Sequence, residues 1–366
     1  MSLNPSIAFF ISPHGYGHAA RAAGVMEAVY ELDPSIRFEI FTQVPRWFFD
    51  DSLSGDFGYH SLLTDIGLVQ RTPLHADIPE TVKRLNHFLP FDAFKIRDLA
   101  NLLKKLSCDL IICDIAPMGI AVAEEVGVPS LLIENFTWDW IYEGYVKQDG
   151  QIGEHIHYLK GLFNAAQFHV QTEPVCDRQN VDLTTFPVCR KTKTSAREIR
   201  NRLGIPASAK AVLITMGGIE EEYNFLEQLA TQRDVHFVIP GASREVAIRD
   251  NLVRLPHHSD YFHPDLVNAS DAVIGKVGYS TVAEVYYAGV PFGYVPRKSF
   301  RESQKLVSFI QDRMTGLPIS GDQFYSGSWL SSLHELLALR RIYRTDPQGA
   351  EQIARFIHDL IKPTSP

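Results

Sequence analysis

The amino-acid sequence predicts an α/β protein of two Rossmann-like domains, each built on a mainly parallel sheet. Three observations carry the prediction. Short apolar runs at residues 6–12, 109–113, 211–215 and 272–274 each lead through a turn into a pattern of helical period. The strand–glycine–helix opening of residues 6–18 recurs in the second half, where Met216-Gly217-Gly218 follows the run at 211–215. At 366 residues the chain is long enough for two domains, each burying its own core. The expected boundaries are residues 1–175, a linker at 176–195, a second domain at 196–350 and a terminal segment at 351–366.

Composition narrows the class of protein. Hydrophobic residues make up 45% and charged residues 21%, as in ordinary globular domains. A formal net charge of −8 argues against nucleic acid or an anionic membrane as the main partner. The four cysteines (Cys108, Cys113, Cys176, Cys189) have no paired metal spacing and are too few for a disulfide framework, which fits a reducing cytoplasm. The opening residues carry no basic segment ahead of an apolar one, and no apolar run reaches the ~18 residues of a membrane span. The expectation is a cytoplasmic protein without a transmembrane segment.

Residues 6–12 (SIAFFIS) form a buried strand, 13–18 (PHGYGH) a glycine-punctuated loop, and 19–32 a helix with Ala22, Val25, Met26 and Val29 on one face. Residues 38–42 are the next strand. Gly15-x-Gly17-x-x-Ala20 meets the loose dinucleotide fingerprint. That fingerprint also needs an acidic residue at the end of the second strand, where Thr42 and Gln43 stand, so an NAD-dependent enzyme is disfavoured. Residues 45–59 read as a loop or short helix, and 60–107 as one strand followed by helical material from 81 to 106. Residues 109–113, 118–126 and 129–133 make a βαβ unit with Asp114 at its mouth. The run NFTWDWIYEGY (135–145) has aromatics that do not fit one helical face. Residues 155–168 read as a helix, 169–171 as a short strand and 176–195 as polar linker.

In the second half, 197–203 is a short helix, and 235–239 and 252–254 are strands. Residues 255–264 form a loop with His257, His258 and His263, which lack a cysteine or carboxylate at metal-ligand spacing. Residues 271–297 form a complete βαβ unit: a strand, a turn marked by Gly275 and Gly278 around Lys276, a helix capped by Ser280 or Thr281, and a strand at 290–295. A further helix runs to about residue 314, and 351–361 is a final amphipathic helix.

Two constellations carry chemistry. A glycine turn feeding a helix N-terminus presents free N–H groups and the positive end of the macrodipole to a phosphate, and Lys276 adds a full charge. Glu284 lies one turn inside, where it can accept from a ribose hydroxyl; the bland alternative is an ordinary βαβ turn with a surface lysine. In the first half, a loop ending in His18 places an imidazole at the carboxyl edge of the sheet, where a neutral ring can take a proton from an alcohol. His14 and His18 are separated by glycines that argue against a metal pair. Asp114 either orients His18 or binds a hydroxyl, or it caps the next helix. The rings beside Asn135, Asp139 and Glu143 suit sugar faces and hydroxyls, or an aromatic seam between domains.

Three separated stretches carry a resemblance: PHGYGHAAR at 13–21, NFTWDWIY at 135–142, and KVGYSTVAE with AGVPFGYVPR at 276–297. They are similar to the GT-B glycosyltransferases, and in particular to the glycosyltransferase-like region that precedes the kinase domain of L-arabinokinases. The bacterial peptidoglycan N-acetylglucosaminyltransferase is a looser likeness. The resemblance implies two facing Rossmann-like domains, with the terminal helix packed back on the first. It implies metal-independent transfer from a nucleotide diphosphate sugar, expected to be a UDP-sugar, to an acceptor hydroxyl, with inversion. His18 is then the base supported by Asp114, and His14, Gly15, Gly17, Asn135 and Asp139 line the acceptor side. Gly217, Gly218, Lys276, Gly278, Ser280 and Thr281 take the phosphates, Glu284 the ribose and Gln304 the sugar. The nucleotide sugar is substrate, and neither a cofactor nor a metal is expected. No Asp-x-Asp motif occurs in the chain. No kinase-like phosphate motif remains to be explained, so phosphoryl transfer is not expected. The alternatives are a nucleotide-sugar epimerase or hydrolase on the same fold, and a sugar-nucleotide-binding module without turnover.

Overall fold

Strands buried on both faces must be apolar throughout, and such strands pair in parallel beneath covering helices. The run Ile7, Ala8, Phe9, Phe10 and Ile11 is wholly buried, as are Val212, Leu213 and Ile214 in the second half. In the computed structural model, which describes residues 5–217 and 223–362, contacts divide the chain into two units. The first comprises residues 5–69, 76–189 and 346–362, and the second residues 70–75 and 190–345.

The first unit holds β1 (Ser6–Ile11), β2 (Arg37–Thr42) and β3 (Phe57–Ser61). A small ribbon of β4 (Gln70–Thr72) and β5 (His75–Ala76) follows. The sheet resumes with β6 (Leu110–Asp114), β7 (Ser130–Glu134), β8 (Phe168–Thr172) and β9 (Leu183–Thr185). Its order is β3-β2-β1-β6-β7-β8-β9, and every pairing is parallel. The chain leaves β1 towards β2 on one side and returns to β6 on the other, so the strand order reverses between β1 and β6. A crevice forms at the carboxyl ends of two such strands.

The second unit repeats this plan with β10 (Lys210–Thr215), β11 (Val235–Pro240), β12 (Ala247–Arg249), β13 (Leu252–Leu255), β14 (Ala272–Lys276), β15 (Phe292–Val295) and β16 (Gly316–Pro318). The order is β12-β13-β11-β10-β14-β15-β16, with only β12–β13 antiparallel. Its reversal falls between β10 and β14. There Thr215 pairs with Gly275, whose missing Cβ would stand 2.3 Å from the Thr215 carbonyl oxygen. Only glycine fits that approach.

Several elements differ from the sequence reading. The polar stretch 176–195 contributes β9, an edge strand in which burial is too partial to leave an apolar pattern. Residues 60–107 hold two helices, Ile78–Phe88 and Ala93–Leu106, each opened by an aspartate side chain, Asp77 and Asp92. The helix Tyr279–Ala288 has Gly278 as its N-cap, so Ser280 and Thr281 lie inside its first turn and cap nothing. His263 opens a helix, His263–Ala269, rather than sitting in a loop. Gly218 lies outside the described residues.

The first unit's core joins β1, β2 and β7 to the helices Gly17–Leu32 and Gly349–Ile361. The terminal helix contributes Ala350, Ile353, Ala354 and Ile357, spaced along one face and all buried there. No helix among the described residues is long and apolar enough to cross a membrane. Truncating a fully buried isoleucine removes transfer energy and leaves a cavity. Ile353→Ala is therefore expected to destabilise the first unit by about 2–5 kcal/mol, read as a lower urea midpoint with an unchanged slope.

Candidate functional site

At the β1/β6 reversal, the helix Gly17–Leu32 starts directly after the loop, and Gly15 turns that loop with φ +69°. His18 and Arg21 are three apart on this helix and so project from one face. Both reach Asp114 at the end of β6, which pairs with Ile11 at the end of β1. His18 Nδ1 lies 3.0 Å from Asp114 Oδ1. Arg21 grips the same carboxylate with two bonds, Nε to Oδ2 at 2.8 Å and Nη2 to Oδ1 at 2.6 Å. Its Nη1 donates to Asn135 Oδ1 at 2.7 Å. His18, Arg21, Asp114 and Asn135 are all buried.

Burial alone would raise the Asp114 pKa, but the Arg21 charge and the bonds from Arg21 and His18 outweigh it and hold the carboxyl below its usual range. Asp114 is thus an acceptor only. The hydrogen shared with His18 sits on Nδ1, and Nε2 is left as the nitrogen that can accept a proton. The 3.4 Å approach of Arg21 Nη2 to the same Nδ1 is then a contact between donors.

His14 packs edge-on against Trp138, and Trp138 also lies against His18. Trp138 Nε1 donates to Asp65 Oδ2 at 3.3 Å, while Ser12 Oγ donates to Asp65 Oδ1 at 2.9 Å. Burial pushes the Asp65 carboxyl up to about 7 despite those two bonds, and the charge on Asp114 adds to the rise. The sequence reading missed Asp65, which no motif marks. It named Arg21 only through the resemblance, although the three-residue step from His18 was a local signal. Gly17 is the first helical residue and places His18. Asp139 does not join this cluster. It lines a separate cavity in the same unit, and neither His18, Arg21, Asp114 nor Asn135 lines that cavity.

At the β10/β14 reversal of the second unit, Thr215, Gly217, Lys276 and the amino end of the helix Tyr279–Ala288 come together. No side-chain hydrogen bond caps the amino end of that helix. A Cβ on Gly217 would lie 3.4 Å from Lys276 Nζ. Burial and, after it, the Arg297 charge pull the Lys276 pKa down to about 7, against Glu302. Glu302 is itself buried and paired with Arg297 at 3.0 Å, while Gln304 is exposed on the helix Arg301–Arg313.

Glu284 is also buried. Its Oε1 accepts from Arg190 Nη2 at 3.1 Å and its Oε2 from His263 Nδ1 at 2.7 Å. His263 Nε2 in turn lies 3.3 Å from Thr215 Oγ1. Burial would raise the Glu284 pKa, but Arg190 and His263 outweigh it and lower the value. The carboxylate is held ionised and aimed, with one lone pair per oxygen still to use. Arg190 and His263 were not read as its partners from sequence, because they lie 94 and 21 residues away.

The fold that carries these clusters is that of the GT-B glycosyltransferases. The calicheamicin glycosyltransferase CalG4 superposes with a TM-score of 0.66 at 14% identity, covering 100% of both chains. The sequence profile of Glycosyl transferase family 1 matches residues 6–319, and the chain belongs to that family. It is similar to an L-arabinokinase of Arabidopsis thaliana, 25% identical over 357 residues, which are 96% of this chain and 34% of that protein. The chain thus spans about a third of that relative's length. It is also similar to an uncharacterized glycosyltransferase of Methanopyrus kandleri, 22% identical over 274 residues, covering 70% of this chain and 76% of the other.

Removing the Asp114 charge strands the Arg21 guanidinium in the interior. Asp114→Asn is expected to destabilise the protein by about 3–5 kcal/mol in urea denaturation. The double variant Arg21→Met/Asp114→Asn recovers part of that loss. A double variant no more stable than the single one would show that the pair is not the source of the effect.

Proposed function

We propose that this glycosyltransferase moves a sugar from a nucleotide diphosphate sugar, a UDP-sugar, to an acceptor hydroxyl, without a metal ion and with inversion. The observation that carries the reading is a half-buried lysine of depressed pKa beside a helix amino terminus with no side-chain cap, with an aimed carboxylate one turn along. Two phosphates supply the negative charge this arrangement lacks, and a ribose supplies the hydroxyls that Glu284 can accept from. Thr215, Gly217 and the first-turn residues Ser280 and Thr281 belong to the same diphosphate cradle. Gln304, on the following helix, is the proposed contact for the donor sugar.

In this mechanism His18 Nε2 takes the proton from the acceptor hydroxyl, and the oxygen attacks the anomeric carbon. The bond from that carbon to the diphosphate oxygen breaks, and the electron pair leaves on the diphosphate. Lys276 and the helix N–H groups stabilise the new charge there. Asp114 stabilises the imidazolium, and Arg21 and Asn135 fix Asp114. His14, Gly15 and Gly17 shape the loop on the acceptor side. The four cysteines are free and buried, which supports a reducing compartment, the cytoplasm.

Thermal-shift measurements with UDP, GDP, dTDP, ADP and their sugars test the donor directly. UDP and one UDP-sugar are expected to raise the midpoint, and Glu284→Ala to abolish the shift. No shift from any nucleotide at millimolar concentration would sink the donor site. In transfer assays with the donor so found, His18→Ala is expected to lower turnover by about 10²–10⁴ while donor affinity is kept.

The lysine sets a pH dependence. Below about pH 7 Lys276 is already charged before the ligand arrives. Above that pH, binding a diphosphate must bring a proton with it. UDP affinity is therefore flat on the acid side and falls on the alkaline side, by at most about tenfold per pH unit. Lys276→Arg is expected to keep the affinity and remove the slope in calorimetric titrations. A slope that survives in that variant would assign it to another group.

A further inference from the structure

Asp65 is a buried carboxyl, 3% exposed, that the transfer steps above leave unused. It follows β3 in a stretch fastened to two other parts of the first unit. Thr64 Oγ1 donates to the Ile11 carbonyl at 2.8 Å, and the Tyr142 hydroxyl donates to the Gly67 carbonyl at 2.7 Å. Between these anchors Asp65 accepts from Ser12 Oγ, just past β1, and from the indole of Trp138, the first residue of the short helix Trp138–Glu143. Neither donor is charged. An asparagine could engage both without a buried charge to desolvate. Burial, and after it the charge on Asp114, push the Asp65 carboxyl up to about 7 against its two bonds. A carboxyl is the costly choice at this place, and packing alone does not account for it.

What the carboxyl holds is a wall of the histidine cluster. The Trp138 ring centroid lies 5.1 Å from that of His14 and 6.2 Å from that of His18. Tyr142 stacks on the indole at 5.8 Å, and Phe136 meets it at 5.3 Å. The same stretch also touches His14 directly. The Leu68 N–H points at His14 Nδ1 from 3.4 Å, and a Cβ on Gly67, whose φ is +60°, would stand 2.8 Å from that nitrogen. Asp65, Gly67 and Leu68 thus bear on His14 by contact and on both imidazoles through Trp138.

We propose that Asp65 is a positioning residue of the first unit's site, which holds the Trp138 indole against His14 and His18 and tightens that hold when it ionises. As a carboxylate it accepts both bonds, and charge-assisted bonds are about twice as strong as neutral ones. When it is protonated, its Oδ1 donates to Ser12 Oγ, the serine hydroxyl turns away, and Trp138 keeps only a neutral bond. The titratable groups around it are Asp114 on β6, Tyr142 on the same helix as Trp138, and His14 and His18 across the indole, while Arg21 is bonded to Asp114. What the positioned histidines do rests on the transfer reading, whereas the hold on Trp138 does not.

The test is a pH titration of the full chain by proton–nitrogen NMR, following the Trp138 indole N–H, which is identified by its loss in Trp138→Phe. That signal is expected to move downfield with a midpoint of about 7 as the bond becomes charge-assisted. In Asp65→Asn, which fills the same space and keeps neutral bonds, it is expected to stay in place. Should Asp65→Asn fail to fold by circular dichroism, Ser12→Ala decides: the carboxylate loses a donor, and the midpoint seen at the indole is expected to rise. In turnover of the UDP-sugar found by thermal shift, the ratio of parent to Asp65→Asn is expected to grow severalfold from about pH 6 to about pH 8, with the donor KM unchanged. A loss of packing alone would lower turnover equally at both. The proposal is overturned if the indole signal does not titrate, if it titrates equally in Asp65→Asn, if the midpoint is unmoved in Ser12→Ala, or if the turnover ratio is the same at both pH values. Were no nucleotide to bind, the transfer reading would fall by itself, and the indole titration would still decide whether Asp65 sets the Trp138 ring.

Discussion

Arg21 imposes the constraint on which the first unit's site depends. A guanidinium that is 1% exposed cannot lose its proton, and each of its donors must find an acceptor inside the protein. The acceptors come from three different strand ends: Asp114 at the end of β6, Asn135 after β7, and Thr172 at the end of β8, whose Oγ1 lies 3.5 Å from Nη1. One side chain on one helix thereby fixes the relative heights of three carboxyl ends of the sheet. Such a pair is weak evidence for stability, because desolvation offsets most of the attraction. Its effect is geometric. It holds Asp114 ionised and immobile, and so gives His18 a single tautomer.

The two units use the same position for opposite purposes. Both put a polar cluster where the strand order reverses. In the first, the positive charge is an arginine already saturated by protein groups. In the second, it is a lysine whose burial and whose neighbour Arg297 both lower its pKa, with Glu302 opposing. An arginine at that place would remain charged and seek a permanent partner. A lysine can give up its proton and take it back when an anion arrives. One cluster is thus built to keep its shape, and the other to change its charge.

What the sequence disclosed follows from which interactions are local. The central strands were legible because burial on both faces leaves apolar runs such as 7–11 and 211–214, whereas the edge strands β12 and β16 were not read. The terminal helix was legible from its single apolar stripe. His18, Lys276 and Glu284 stood out because their loops and helix starts lie in the same stretch of chain. Asp65 did not, since its partners Ser12 and Trp138 are 53 and 73 residues away and no periodicity surrounds it. Ser280 and Thr281 are of the right type for a cap, but the extended residue that precedes the helix is Gly278, and residue type alone does not fix the helical frame. β9 escaped for a related reason. An edge strand buries too little to exclude polar residues, so LTT within a polar stretch reads as linker.

The sharing of Asp114 bears on how His18 works. In a dyad whose carboxylate faces the imidazole alone, the full negative charge stabilises the protonated ring. Here Arg21 lies 2.6 Å from the same oxygen that His18 bonds, so much of that charge is already answered. The carboxylate orients the ring. In the proposed mechanism the second unit's lysine and helix terminus serve the bond that breaks, while the first unit's pre-paired cluster positions His18.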